Sequence, residues 1–292
     1  MWRRPMWMLC IATLLVATLF FAAWQLSPPA VNRAVPQTST SIASAAPSAT
    51  DIVRRMGLEA NLVARSSYDD APELADLPVA GNALGIDWER LSQVRPGLLL
   101  IGTDERLLTD SDRRAAEELD ITIVPAAVRR LADVTQVISR IATAAQIEHP
   151  SASFSSELEA FAPSGEPLSR PRVVVALDPE VTFVAGRDNY IDDLIRHVGG
   201  ENAVSNDYTS WPTLDQEALL SLSPDVVVVL LPDASPQVIA AAEEQLARLA
   251  QTGGAAWEEA TIATGSLVMT PGWTGTLSLA AELSFRVGRT DR

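Results

Sequence analysis

One segment of this chain recurs at a fixed distance, and the recurrence restricts the fold more than any other feature. Glu89 opens a helical stretch that stops at Pro96 and runs into an apolar strand over 97–101. Glu217 opens a second, stopped by Pro224 and followed by a strand over 225–231. The two glutamates and the two prolines are each 128 positions apart. Helix, proline and buried strand make the unit of a parallel α/β layer, so two copies predict two similar lobes.

The surrounding pattern agrees. Short apolar runs over 41–46, 61–65, 98–101 and 121–124 read as strands, with helices expected from Ser48 to Gly57, over 87–94 and over 113–119. Ser48-Ala49-Thr50-Asp51 reads as a capping box for the first of these helices. The rhythm then changes. Val134, Val137, Ile138 and Ile141 recur at helical spacing and predict one amphipathic helix over about 132–147, ended by Pro150. A second helical piece is expected over 155–161. Strands over 173–177 and 226–231 and helices over 190–198 and 236–249 resume the α/β alternation. The expected organisation is an N-terminal α/β lobe over 41–131, a connecting helix over 132–165 and a C-terminal α/β lobe over 166–292. Both sheets are mainly parallel, and the cleft between the lobes holds a ligand.

Arg3 and Arg4 precede a run from Met6 to Leu26 without a charge. At 1.5 Å per residue this run is roughly 31 Å long, enough to cross a bilayer core, and the flanking arginines keep the amino terminus inside. Residues 1–26 therefore read as a signal-anchor or as a cleaved signal peptide, and 27–40 as a flexible linker. Either way the body lies outside the cytoplasmic membrane, anchored to it where the helix is retained.

Composition excludes several functions. All 22 basic residues are arginine, against 37 acidic ones, and the net charge of −15 repels a phosphate backbone, so no nucleic-acid partner is expected. With Cys10 alone no internal disulfide or cysteine-zinc site can form, and with only His149 and His197 no histidine-cluster metal site, other metal or resident cofactor is expected. G-x-S-x-G, P-loop, G-x-G-x-x-G and H-E-x-x-H motifs are all missing, and Asp192 and Asp193, adjacent on a helix, point to different faces. The expectation is a binding protein rather than an enzyme. A membrane-anchored sensor or scaffold of the same fold, and more remotely a tethered hydrolase, are the alternatives.

Five stretches in order resemble the class III substrate-binding proteins of ABC importers, the group for cobalamin, haem and ferric siderophores. They are Ala45-Ala46-Pro47-Ser48-Ala49-Thr50-Asp51-Ile52, Ser67-Tyr68-Asp69-Asp70-Ala71-Pro72, Phe183-Val184-Ala185-Gly186-Arg187, Val198-Gly199-Gly200-Glu201-Asn202-Ala203 and Trp211-Pro212-Thr213-Leu214 before Glu217. The last is most similar to the cobalamin-binding branch, although that branch usually has a tryptophan where this chain has Ala83. The resemblance implies a transported small-molecule ligand, with a permease and an ATPase as partners.

Flat aromatic side chains on loops suit a large ring-shaped chelate, which makes Tyr68, Trp211 and Trp273 the expected ligand-binding residues. Tyr68 could also reach haem iron. Trp88 reads as a packing residue, His197 as a surface or packing residue, His149 as helix punctuation and Asp69-Asp70 as a solvated loop. The resemblance further implies that Glu89 and Glu217 dock on permease arginines. As first-turn residues they are also favoured by the helix dipole alone.

Overall fold

Two mainly parallel sheets succeed one another along the chain, each with its first strand in the interior. The computed structural model describes residues 40–82, 84–148, 150–165, 170–205, 207–232, 234–264 and 270–288. The expected membrane span, most of the linker, Ala83 and His149 lie outside the described residues.

The first sheet comprises Ile42–Ser44 (β1), Leu62–Ser66 (β2), Val79–Asn82 (β3), Gly85–Ile86 (β4), Leu98–Ile101 (β5) and Thr122–Pro125 (β6), in the order β4-β3-β2-β1-β5-β6. Ile42 pairs with both Leu62 and Leu98, and every pairing is parallel except the β3–β4 hairpin. The second comprises Arg172–Ala176 (β7), Glu201–Asn202 (β8), Val226–Leu231 (β9) and Thr261–Thr264 (β10), all parallel, in the order β10-β9-β7-β8. In the first sheet β1 lies between β2 and β5, and in the second β7 lies between β8 and β9, so in each the chain turns to one side of its first strand and later returns to the other. That reversal of strand order places ligand crevices at the carboxyl ends of the strands.

Helices cover the sheets: Pro47–Arg55 (α1), Trp88–Val94 (α2), Asp110–Glu118 (α3), Leu131–Ala144 (α4), Ser151–Glu159 (α5), Tyr190–His197 (α6), Gln216–Ser221 (α7), Pro236–Gly253 (α8), Ala255–Glu258 (α9) and Trp273–Val287 (α10). β9 reads Val-Val-Val-Val-Leu-Leu and is buried throughout, as a strand covered on both faces must be. Val134, Val137, Ile138, Ile141 and Ala142 form the buried stripe of α4, which breaks before α5 as the proline predicts. The capping box expected at Ser48 is not formed. α1 starts one residue earlier, with Pro47 in its first turn and no side-chain cap. Its Asp51 serves another helix: the Oδ2 atom accepts the N–H of Thr274 at 2.7 Å and of Gly275 at 3.3 Å.

A single apolar cluster runs through both halves. It joins Ile42, Ile52 and Leu98 to the α4 stripe, to Val173, Val175, Val226 and Val228 of the second sheet, and to Leu279 and Leu283 of α10. Separate clusters line the outer faces of the first sheet (Ala43, Leu91, Leu99) and of the second (Val174, Val227, Leu246). The start of α4 is tied to α6 by a two-pronged ion pair, Arg130 Nη2 to Asp193 Oδ1 at 2.6 Å and Nε to Oδ2 at 2.7 Å. Among the described residues no helix is long and apolar enough to cross a membrane.

Candidate functional site

Tyr68 stands on the turn that leaves the carboxyl end of β2. Ser67 N–H donates to Gly81 O at 3.0 Å and Asn82 Nδ2 to Ser67 Oγ at 2.9 Å, which ties the turn to the β3–β4 hairpin. With the backbone held this way, the Tyr68 side chain stays 60 % exposed. The hairpin tip beside it presents Leu84, which is 89 % exposed. Asp69 is not the solvated residue that the sequence suggests. Its Oδ2 accepts Thr50 Oγ1 and Ser66 N–H, both at 2.8 Å. Burial raises the Asp69 carboxyl above the ordinary range, against the opposing pull of those bonds and of Arg65.

The second lobe builds its counterpart from two loops laced together. Gly186 N–H donates to Ser210 O at 2.9 Å, Val184 N–H to Pro212 O at 3.0 Å and Leu214 N–H to Thr182 O at 2.8 Å. Buried Asn189 and Asn202 complete the lacing, through Nδ2 bonds to Ser210 O at 2.7 Å and Gly186 O at 2.8 Å. A Cβ on Gly186 would collide with the carbonyl of Thr209, so only glycine lets the loops approach this closely. Trp211 rides on this framework, 40 % exposed, with the Phe183 ring centroid 6.3 Å away. Tyr208, three positions earlier, is also 40 % exposed.

Trp273 corrects the sequence reading. It opens α10 instead of a loop and is fully buried, edge-on to Phe154 at 5.6 Å with Arg55 over its face, so it offers a ligand no surface. Trp88 packs as expected, its Nε1 donating to Asp112 at 2.8 Å, and His197 contacts Leu158 O at 2.9 Å. Asp192 is fully buried and accepts Asp188 N–H, whereas Asp193 faces Arg130. Among the described residues no cluster of His, Cys, Asp or Glu could hold a metal ion.

Tyr68 also borders a small cavity of about 70 Å³ with Thr50, Asp51, Arg54 and Thr270, of which Trp211 is not part. A larger groove of about 970 Å³ follows the edge strand β10 between Leu246, Ala250, Trp257 and Ile262 and touches neither aromatic. We place the candidate site at the strand ends, where hydrogen-bonded loops present exposed aromatics, rather than in this groove.

The 128-residue repeat extends further than its glutamates. Asp87 caps α2 through the N–H of Arg90, and Asp215 caps α7 through the N–H of Ala218. Leu91 and Leu219 are both fully buried, and Arg95 and Ser223 both take the left-handed conformation at φ 45°. Glu89 and Glu217 thus occupy equivalent first-turn positions, both exposed and without an ion pair among the described residues.

Two parallel α/β lobes with laced aromatic loops at their strand ends define a two-lobed binding protein. Residues 42–251 match the periplasmic binding protein family, and the chain belongs to that family. It is 25 % identical over 212 residues to the vitamin B12-binding protein of Pectobacterium carotovorum subsp. carotovorum, covering 69 % of this chain and 74 % of that protein. The periplasmic haem-binding protein HutB of Vibrio cholerae has the same fold, with a TM-score of 0.70 and 21 % identity over 84 % of this chain and 98 % of that one. The periplasmic vitamin B12-binding protein BtuF of the same organism follows at a TM-score of 0.65 and 19 % identity, over 87 % and 98 %.

Sequence reading brought out Tyr68 and Trp211 but passed over Phe183, Leu84 and Tyr208 as site residues. Phe183 lies in a stretch already singled out, and Tyr208 shares the Trp211 loop, so proximity to the chosen residues was the available signal. Leu84 carries none: an exposed leucine is legible only once the hairpin is seen.

Proposed function

We propose that this protein is the extracytoplasmic ligand-binding subunit of an ABC importer for cobalamin or a related metal chelate, haem or a ferric siderophore. The ligand sits between a lobe over 41–131 and a lobe over 166–292, held by Tyr68 from the first and Trp211 from the second. The observation that carries this reading is the pair of exposed aromatics on hydrogen-bonded loops at the strand ends of a substrate-binding fold. A flat, partly apolar macrocycle gains most from such rings, because stacking adds to the burial of both surfaces. The vitamin B12-binding relatives favour cobalamin as the first ligand to test.

Delivery to a permease and its ATPase runs through Glu89 and Glu217, which offer equivalent carboxylates to arginines on a two-fold partner. Residues 1–26 carry the body across the cytoplasmic membrane and, where uncleaved, hold it there. Isothermal calorimetry of the purified protein against cyanocobalamin, haemin and a ferric siderophore panel tests the ligand. One of the three binds with a single site; folded protein that binds none of them refutes the import reading.

A further inference from the structure

We propose that Asp69 is the positioning residue for Tyr68, acting from its bond to Thr50. This inference rests on the reading of Tyr68 as a ligand contact and adds how that side chain is aimed.

Residues 66–69 form a turn closed twice. The N–H of Asp69 donates to Ser66 O at 3.2 Å, and the N–H of Ser66 donates back to the Asp69 carboxylate at 2.8 Å. Tyr68 occupies the third position of this turn, its own N–H directed at Ser66 Oγ at 3.3 Å. The same carboxylate oxygen accepts the Thr50 hydroxyl at 2.8 Å, and Thr50 is 2 % exposed on α1, with Ser44 Oγ 2.9 Å behind it. Arg65 Nη1 adds bonds at 3.0 Å to the carbonyls of both Ser66 and Asp69.

A charged acceptor is a costly way to close a turn, since burial opposes its ionisation and a neutral side chain would suffice. What the carboxylate adds is two donors from different elements on one atom, which fixes the turn against helix α1 as well as against itself. The phenol ring then projects from a fixed backbone while remaining exposed. An aromatic presented in this way loses less freedom when a ligand covers it.

The chain contains three tyrosines, Tyr68, Tyr190 and Tyr208, so protein labelled with 3-fluorotyrosine gives three 19F resonances. Tyr68→Phe assigns the first. Asp69→Ala and Thr50→Val should move the Tyr68 resonance towards that of free fluorotyrosine and sharpen it, with the other two unmoved. Thr50→Ser, which keeps the hydroxyl, should restore the wild-type position. An unmoved Tyr68 resonance in both Asp69→Ala and Thr50→Val overturns the proposal. In titrations with cyanocobalamin and haemin, Asp69→Ala should weaken about tenfold the probe that Tyr68→Ala weakens, and the double variant should bind no worse than Tyr68→Ala. Additive losses overturn the positioning role. If Tyr68→Ala leaves both affinities unchanged while the resonance still moves, the ligand contact fails and the positioning of Tyr68 stands.

Discussion

Asp51 accepts the backbone N–H of Thr274 at 2.7 Å, although 223 positions separate the two residues. The carboxylate at the middle of the Pro47–Arg55 helix thereby caps α10, whose own N-cap residue, Gly272, supplies no side chain. Gly272 packs so closely on Asp51 that a Cβ would strike its carboxylate. Asp51→Ala strands the N–H groups of Thr274 and Gly275 and should cost about 1–2 kcal/mol, read from urea unfolding midpoints. Asp51→Asn keeps an acceptor oxygen and should recover most of the loss. Equal losses in the two variants would show that the cap contributes nothing.

Stability should respond to acid through opposing groups. Burial pulls the Asp193 carboxyl upward, but bonds from Arg130, Leu131 and Arg196 outweigh it and hold it at about 2, below its unfolded value of 3.8. The fold favours the ionised form, so this contribution is complete above about pH 4 and is lost as pH falls towards 2. Asp51 and Asp69 act in the other sense: burial raises both, the folded chain holds their protons more tightly, and acidification towards 3.8 stabilises. Asp193→Asn should cost roughly 1 kcal/mol at neutral pH, since Arg130 is partly solvated, and should flatten the loss of stability below pH 4. Thermal melts from pH 2 to 7 decide; an unchanged slope refutes the assignment.

Trp211 and Trp273 should separate binding from folding. Trp211→Ala is expected to weaken the bound chelate by about 1–3 kcal/mol in calorimetry with little change in melting temperature. Trp273→Ala removes a fully buried ring and should destabilise the protein by about 3–5 kcal/mol. Gly186→Ala lies between, pushing the Trp211 loop off its partner and lowering both affinity and stability. The assignment fails if Trp211→Ala binds normally.

Charge reversal at Glu89 and Glu217 tests the docking surface. The double variant Glu89→Arg with Glu217→Arg should bind ligand normally and fail to stimulate ATP hydrolysis by the permease complex in proteoliposomes. Single reversals should give intermediate, salt-sensitive effects. Full stimulation by the double variant would leave both residues as helix starts.

Much of the fold was legible because its signals are local. The strands over 98–101 and 226–231 are continuous apolar runs, and the α4 stripe repeats at helical spacing. Asp51 was misread because a capping box and a cap offered to a distant helix look alike in sequence. Only the extended backbone of Ala46, which takes the N-cap position in place of Ser48, distinguishes them. Trp273 misleads for a related reason: Pro271 and Gly272 signal a turn, while the apolar stretch after them begins a helix at Trp273 itself. Candidate aromatics could be found by type, but exposure decided between them, and exposure depends on contacts such as Phe154 against Trp273 that lie far apart in sequence.

The last helix has a consequence for how the chain comes to be folded. Its 15 residues carry Trp273, Leu279 and Leu283 into the same cluster as Ile42 and Ile52. During synthesis the first helix therefore emerges long before the surface that covers it and the donors that satisfy Asp51. The core around the first strand therefore cannot close until residues 273–287 have been made and have docked on it, whatever its early strands do.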